Sequence, residues 1–545
     1  MSQVHPAVHR LAPAPSEPDG TARPVVATDP VEEMLFERWY DIDKHHAREI
    51  LARVGSLSDE ELWQRPHLMT GAVIASDLVS SRAHPAGGDR AEILEHLRHL
   101  GSAATARGGA DDGPRSSHWV VMSMIGARWE GRFDEALRLC DELEQVERHG
   151  SIRQSIFRDP RHEGDRPGYV ALQRGLTMLL AGRTDTAMQL FTAAYRDGGE
   201  PPFRHFARVN AAANAAMLSA IDGHDETARK WLRRVGDVDA LPAWCRDLLT
   251  VGATIGSTLL ATDAGDVESA EPHAARLSQA GDRLELWPHQ LYALTQYDLA
   301  RHDPVTAYQR FRQIGFERGI NIAVEPIADH IVFRAYLDTL VAAGEGGLVV
   351  RLAKDLGHPL RSLVPLARTH LMAGDDIAAA RVAARAMRRV LMPIRDVWEA
   401  TIVHAIARMR LGETESARRS LHLVLAGRPA ALPTVLARQR RQDVEDLYAL
   451  AGLEYVTDSS RTEPAAIEVA SLTERERTVL QHLVDGLNAA QIAKADFTSE
   501  NTVKTHIKRI YRKLGASNRA QAVALANQQG VVHWHHTDGS ADIPV

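Results

Sequence analysis

The feature that most constrains this chain is a glycine that returns with an alanine five residues later. Gly131 and Ala136, Gly182 and Ala187, Gly223 and Ala228, Gly265 and Ala270, Gly374 and Ala379, and Gly412 and Ala417 share the frame, and His302 with Ala307 keeps it without the glycine. Apolar stretches such as ALQRGLTMLLAG or LARTHLMAG precede the glycine, and MQLFTAAY or RSLHLVL follows the alanine. A glycine can end a helix in the left-handed conformation, and a small residue one turn into the next helix lets the two lie close, so each frame predicts a helical hairpin. Successive frames lie 51, 41, 42, 37, 72 and 38 residues apart, and the long interval has room for a degenerate unit around AAGEGGLVVRLAKDL. A period of roughly 40 residues predicts hairpins stacked in a row, each burying its apolar face only against its neighbours. The expected fold class is all-α, a superhelical stack of hairpins followed by a smaller four-helix domain.

A chain of 545 residues exceeds what one core can fill, since single cores stop growing near ~250–300 residues. Residues 1–30 hold six of the 25 prolines without apolar periodicity and are expected to form a disordered leader. The repeats are placed at 31–455, a polar linker (VTDSSRTEPAAIEVA) at 456–470, a second domain at 471–531 and a flexible tail at 532–545. The first twenty residues lack the pattern of a secretory signal, and the least polar run, LLTVGATIGSTLLA, is too short to cross a bilayer, so a cytoplasmic protein without membrane contact is expected. Two cysteines, Cys140 and Cys245, exclude a disulfide framework and a four-thiolate metal site, and are expected to be buried free thiols.

Charge separates the two parts. Residues 471–531 carry nine basic and five acidic side chains, a net of +4, on a chain whose total is -7, so the remainder stands at -11. A basic end on an acidic body predicts that one part meets a polyanion. Three helix starts of the capping-box type occur here, Thr473 with Glu476, Asn488 with Gln491 and Asn518 with Gln521, and Gly486 and Gly515 supply stops, which predicts four short helices. The first is expected to bury Val479, Leu480, Leu483 and Val484. The third, within SENTVKTHIKRIYRKLG, places Val503, Ile507, Ile510 and Leu514 on an inward stripe. Its opposite side carries Asn501, Lys504, Thr505, Lys508 and Arg512, flanked by Thr502, Arg509 and Lys513, with no acid between Glu500 and Gly515. Five cations on so short a helix repel one another unless an anion is to be met, and duplex DNA presents about one charge per ~1.7 Å of axis.

The segment LTERERTVLQHLVDGLNAAQIAKADFTSENTVKTHIKRIYRKLGASNRAQAV, Leu472 to Val523, resembles the LuxR-type helix-turn-helix, with LTERE, GLNAAQIA, SENTVKTH and KLGASNRAQAV in order. The resemblance implies that Lys504, Thr505 and Lys508 read base edges, and that Ser499, Thr502 and Arg509 lie nearer phosphates. It also implies that the last helix, around Gln521, Ala522, Val523 and Leu525, pairs two domains into a homodimer on DNA, with RNA polymerase as a further partner. Where the family usually has Leu in the turn this chain has Asp496, which leaves Phe497 to fill the pocket. The repeat region resembles the tetratricopeptide-type superhelix of MalT-like bacterial activators.

No phosphate-binding loop, H-E-x-x-H, G-x-S-x-G or paired-cysteine motif occurs, so no catalytic residue, cofactor or metal site is expected and the protein is not expected to be an enzyme. His533 to His536 (HWHH) fit a polar tail, and His45 and His46 fit a surface helix. The function expected is that of a transcription regulator, an activator, whose repeats receive a small-molecule or protein effector in their groove and control the DNA-binding domain. The alternative is a repeat scaffold that recruits a partner protein to DNA without sensing a ligand.

Overall fold

The computed structural model describes residues 29 to 528, apart from 38–42, most of 59–116, residue 130, 149–167, 199–205, 237–242, 281–284, 319–330, 456–473, 515 and 517. The expected leader up to residue 28, the linker, Thr473 of the first capping box, Gly515, and the tail with His533 to His536 lie outside the described residues. The described elements are helices with no strand among them.

Residues 1–100 form one compact unit and 101–545 another. In the first, α1 (Pro30–Glu37) and α2 (Lys44–Gly55) enclose a small core with Leu35, Ala47 and Ile50 buried. Asp43 accepts from the amides of His45 and His46, and the His46 ring closes the capping box, while His45 is exposed. Both histidines therefore sit at a helix start near the surface.

Among the described residues of the second unit the chain makes eight consecutive hairpins: α3 (Ser117–Trp129) with α4 (Phe133–Arg148), α5 (Tyr169–Leu180) with α6 (Thr184–Asp197), α7 (Phe206–Asp222) with α8 (Asp225–Val235), α9 (Ala243–Asp263) with α10 (Val267–Ala280), α11 (Trp287–Ala300) with α12 (Pro304–Arg318), α13 (Ile331–Ala342) with α14 (Gly346–Asp355), α15 (Leu363–Met372) with α16 (Asp376–Met387), and α17 (Ile394–Arg410) with α18 (Thr414–Gly427). Helices α19 (Leu432–Ala437) and α20 (Arg441–Leu450) follow.

The recurring frame marks the turn of each hairpin. Gly131, Gly182, Gly223, Gly265, Gly374 and Gly412 all have φ between 74° and 84°, and His302, in the frame without glycine, still takes φ 58°. The next amide then bonds back five residues, as from Arg183 to Met178 O and from Asp375 to His370 O, satisfying carbonyls that the helix end leaves open. The alanines from Ala136 to Ala417 in this frame are fully buried. The degenerate unit in the long interval exists: Gly344 turns at φ 83° and Val349, fully buried, replaces the alanine.

First and second helices of the hairpins bury themselves differently, and this sets the layers. Helix α11 buries every residue from Pro288 to Asp298 and α13 every residue from Ile331 to Val341, whereas α8 buries only Ala228, Trp231 and Val235. A helix covered on all sides is interior and one with a single stripe is peripheral. The first helices thus form an inner layer, and the row curves until α17 returns to α7 and α19 to α9.

What closes that curve is polar. Arg395 on α17 reaches Asp263 at 2.5 Å and the Tyr292 hydroxyl at 2.8 Å, and Thr434 donates to the carbonyl oxygen of Thr262 at 2.8 Å. Beside them Arg334 contacts Asp338, Asp396 and Glu399 at 2.9, 2.6 and 2.9 Å, Arg368 contacts Asp338 and Glu399 at 3.2 and 2.7 Å, and Arg438 contacts Glu399 at 3.1 Å. Four arginines face four carboxylates with little or no access to water. Burial opposes the charge on Glu399, yet Arg438, Arg368 and Arg334 together hold its carboxyl far below the usual range. At Asp263 burial wins, pushing it up to about 6 although Arg395 and Arg438 pull the other way. Between α9 and α19 the inner layer is thus joined by paired charges rather than by apolar side chains alone.

The apolar core divides at the same place. One cluster runs from Val120 to Met372 and a second from Leu363 to Tyr448. Between α14 and α15, Gly357 and His358 both have positive φ, 70° and 55°. Cys140 is buried against Met124, which pushes its thiol pKa up; the Cys245 side chain lies outside the described residues.

The turn glycines differ in what a side chain would meet. A Cβ on Gly374 enters open space, whereas one on Gly223 would come within 2.8 Å of Arg395 Cβ and 3.0 Å of its backbone nitrogen. Both positions have positive φ, so Gly374→Ala should cost about 1–2 kcal/mol from backbone strain alone. Gly223→Ala should cost clearly more, because the closing contact of α17 must also shift. Urea unfolding of the two variants side by side measures the difference.

Candidate nucleic-acid interface

The C-terminal domain comprises α21 (Glu474–Val484), α22 (Ala489–Ala495), α23 (Glu500–Leu514) and α24 (Arg519–Gln528). Its core holds Val479, Leu480 and Leu483 from α21, Ile492 and Ala493 from α22, Val503 and Ile510 from α23 and Ala522 from α24, with Ile507 packed at the margin. Val484, expected inside, is only half-buried; the Leu514 side chain lies outside the described residues. The domain is tied by caps. Asn488 and Gln491 make the full reciprocal box, the Asn518 carboxamide accepts from the Gln521 amide at 2.9 Å, and Arg519 donates to the Leu483 carbonyl at 2.7 Å.

Helix α23 begins where Ser499 Oγ accepts from the Thr502 amide at 3.1 Å and meets the Thr502 hydroxyl at 2.7 Å. Ser499 is therefore the N-cap, and two hydroxyls stand at a helix N-terminus, where partial positive charge favours an anion. Beyond them Asn501, Thr502, Lys504, Thr505, Lys508 and Arg509 are all exposed, while Val503 and Ile510 are fully buried. Lys504 rests on Glu500 at 2.7 Å, an exposed pair one turn apart that is weak and easily exchanged for another anion. Lys508 and Arg509 have no carboxylate partner among the described residues. The Thr505 hydroxyl donates to the Asn501 carbonyl at 2.9 Å, which leaves its methyl for apolar contact. The side chain of Arg512 lies outside the described residues.

One expectation is corrected here. Phe497 does not fill a pocket: it occupies the turn between α22 and α23 at φ 50° with its side chain 98% exposed. Asp496 takes the inward place instead, its side chain only 7% exposed, with His482 Nε2 at 3.3 Å and Arg475 Nη2 at 3.6 Å. Arg475 also donates to the Asp496 carbonyl at 2.9 Å, a contact that no sequence motif announced. Of the residues assigned to pairing, Gln521 is exposed, Val523 is half-buried and Ala522 is fully buried in the domain's own core. The Leu525 side chain lies outside the described residues.

A short helix bracing a longer one across a tight turn, with the longer one presenting a cationic face backed by an apolar stripe, defines a helix-turn-helix domain. Residues 470–526 match the family described as bacterial regulatory proteins, luxR family, and this C-terminal domain is a LuxR-family helix-turn-helix. Over 72 residues, 13% of its length and 33% of the relative's, the chain is 42% identical to the CsgBAC operon transcriptional regulatory protein of Escherichia coli (strain K12). It is 56% identical over 55 residues, 10% of this chain and 26% of the relative, to a probable transcriptional regulatory protein, SgaR, of Hyphomicrobium methylovorum. Over 58 residues, 11% of this chain and 27% of the relative, it is 47% identical to a probable transcriptional regulatory protein, NarL, of Mycobacterium tuberculosis (strain ATCC 25618 / H37Rv). The chain thus spans a third or less of the length of these curated relatives. Among the described residues no helix is long and apolar enough to cross a membrane, and no group of three His, Cys, Asp or Glu side chains is placed to hold a metal.

Proposed function

We propose that this protein is a cytoplasmic transcription regulator that binds double-stranded DNA as a homodimer. Helix α23 enters the major groove, with Lys504, Thr505 and Lys508 at base edges, Asn501 and Arg512 on the same face, and Ser499, Thr502 and Arg509 at the backbone. The observation that carries this is the exposed cationic face of α23, with Lys504, Lys508 and Arg509, on a LuxR-family domain attached to an otherwise acidic chain. Pairing runs through α24, around Gln521, Val523 and Leu525, and activation proceeds through contact with RNA polymerase.

The repeats are the input. Their inner layer between α9 and α19 carries the arginine–carboxylate network, which favours the second reading of that input: a partner protein held on the outside of the stack rather than a small molecule in a groove. A small-molecule effector in that groove would have to displace paired charges.

The test is selection of duplexes from a random library by the full-length protein, followed by sequencing. A palindromic pair of half-sites is the expected result, and recovery of no enriched sequence overturns the reading. On the enriched duplex, Arg509→Ala should weaken binding to all sequences alike and lower the magnitude of the salt slope by about 0.9, since one phosphate contact is removed. A change in sequence preference would instead move Arg509 to the bases.

A further inference from the structure

We propose that Asp496, Arg475 and His482 form an ionic brace that sets the angle and register of α23, making Asp496 and Arg475 positioning residues for DNA reading. The proposal rests on the DNA-binding reading above for its consequence, though not for its geometry.

The turn that aims α23 is strained and lacks the usual means of holding it. Phe497 is a bulky residue in the left-handed region, a conformation that costs roughly 1–2 kcal/mol, and its ring, almost wholly in solvent, returns nothing by burial. The chain continues into α23 within three residues, so any freedom at 496–498 turns directly into freedom of the helix. Something must hold the turn from behind, and among the described residues that is charge. The Asp496 carboxylate is turned away from water, with His482 Nε2 3.3 Å from Oδ1 and Arg475 Nη2 3.6 Å from Oδ2. The same Arg475 nitrogen donates to the Asp496 carbonyl at 2.9 Å, so one guanidinium grips both the side chain and the backbone of the residue. Both partners come from α21, 14 and 21 residues upstream, and the Thr498 amide returns to Ala493 O at 2.9 Å. The turn is thus tied to the helix before it and to the helix behind it.

A residue serving only as a plug would be bettered by leucine. A brace would not, because leucine can neither accept from His482 nor face Arg475. Arg475 is half exposed, so its worth lies in direction more than in energy. Base-edge contacts tolerate displacements of only about 0.5 Å, whereas phosphate contacts by flexible lysines tolerate far more. Loss of the brace should therefore lower discrimination more than affinity.

The experiment uses the full-length protein with Asp496→Leu, Arg475→Gln, Arg475→Lys and the double variant of the first two. Two duplexes serve as probes: one enriched from a random library by the wild type and an unrelated one of equal length. Expected is a loss of about tenfold on the enriched duplex with little change on the unrelated one or in the salt slope, a double variant no worse than the worse single, and partial rescue by Arg475→Lys. Hydrogen exchange of the peptide covering 493–503 should rise in the same variants, a readout that needs no DNA. Asp496→Leu binding the enriched duplex as well as the wild type, with unchanged exchange, overturns the brace. Equal losses on both duplexes with a lowered melting temperature would make the cluster merely structural and also overturn it. If the wild type binds no duplex the DNA reading falls alone, and the exchange measurement still decides the brace.

Discussion

Replacing Glu399 by alanine should lower the free energy of unfolding by about 3–5 kcal/mol, because it strands buried guanidinium groups rather than merely deleting a contact. Glu399 is fully buried and accepts from Arg368 at 2.7 Å, Arg334 at 2.9 Å and Arg438 at 3.1 Å. Once it is gone, four arginines share three carboxylates, and the unpaired charge has little access to water. Glu399→Gln keeps the acceptor oxygen and should fall between wild type and alanine. Glu413→Ala, which breaks an exposed pair with Arg408, is the control and should stay within about 1 kcal/mol. Urea unfolding at neutral pH gives all three values, and a Glu399→Ala loss no larger than that of Glu413→Ala would show that the network is not what closes the stack.

The pH dependence has opposite signs at the two ends of this network. The folded pKa of Glu399 is depressed, so its contribution is intact above its ordinary value of 4.5 and erodes only as the pH falls below it. Asp263 is raised from 3.8 to about 6, so the contribution linked to its protonation is full below 3.8 and is lost as the pH rises through about 6. Asp263→Asn should therefore flatten the dependence between those two values and leave the acid limb, which belongs to Glu399, in place.

The hairpins could be read in the sequence because each is a local event. A glycine that must turn left-handed and an alanine that must be small lie five residues apart, and even His302 keeps the geometry where the glycine is lost. The closing network could not be read that way. Arg395 and Asp263 are 132 residues apart, and no periodicity reports on a partner at that distance. What the sequence does carry is a weaker sign, charged residues such as Arg334 and Asp338 set four apart within the otherwise apolar IVFRAYLDTLVA, which become intelligible only when the helix is found buried on all sides. At the interface the same division holds. The exposed face of α23 follows from one helix and its stripe, whereas the roles of Asp496 and Phe497 depend on which of two adjacent side chains the turn points inward. Backbone conformation decides that: with Phe497 at φ 50° its ring is carried outward, and Asp496 is left facing α21.

The largest functional effect should come from removing Lys504 and Lys508 together. Both are exposed on the same side of α23, one turn apart, and each has the reach and the donors to engage guanine O6 and N7. Each alanine substitution should cost about 1–3 kcal/mol on the enriched duplex, so the double variant should lose about 2–6 kcal/mol if the two read separate base pairs. Their starting states differ. Lys504 must first leave Glu500, whereas Lys508 has no carboxylate partner among the described residues, so Lys508→Ala should be the more costly of the single changes. Lysines that touched only phosphates would behave otherwise, weakening enriched and unrelated duplexes by the same factor and lowering the salt slope by about 0.9 each. Titrating both duplexes at two or more salt concentrations with the wild type, the singles and the double variant separates these outcomes. Equal losses on the two duplexes would move both lysines from the base edges to the backbone, and sequence reading would then have to come from Asn501 and Thr505 on the same face.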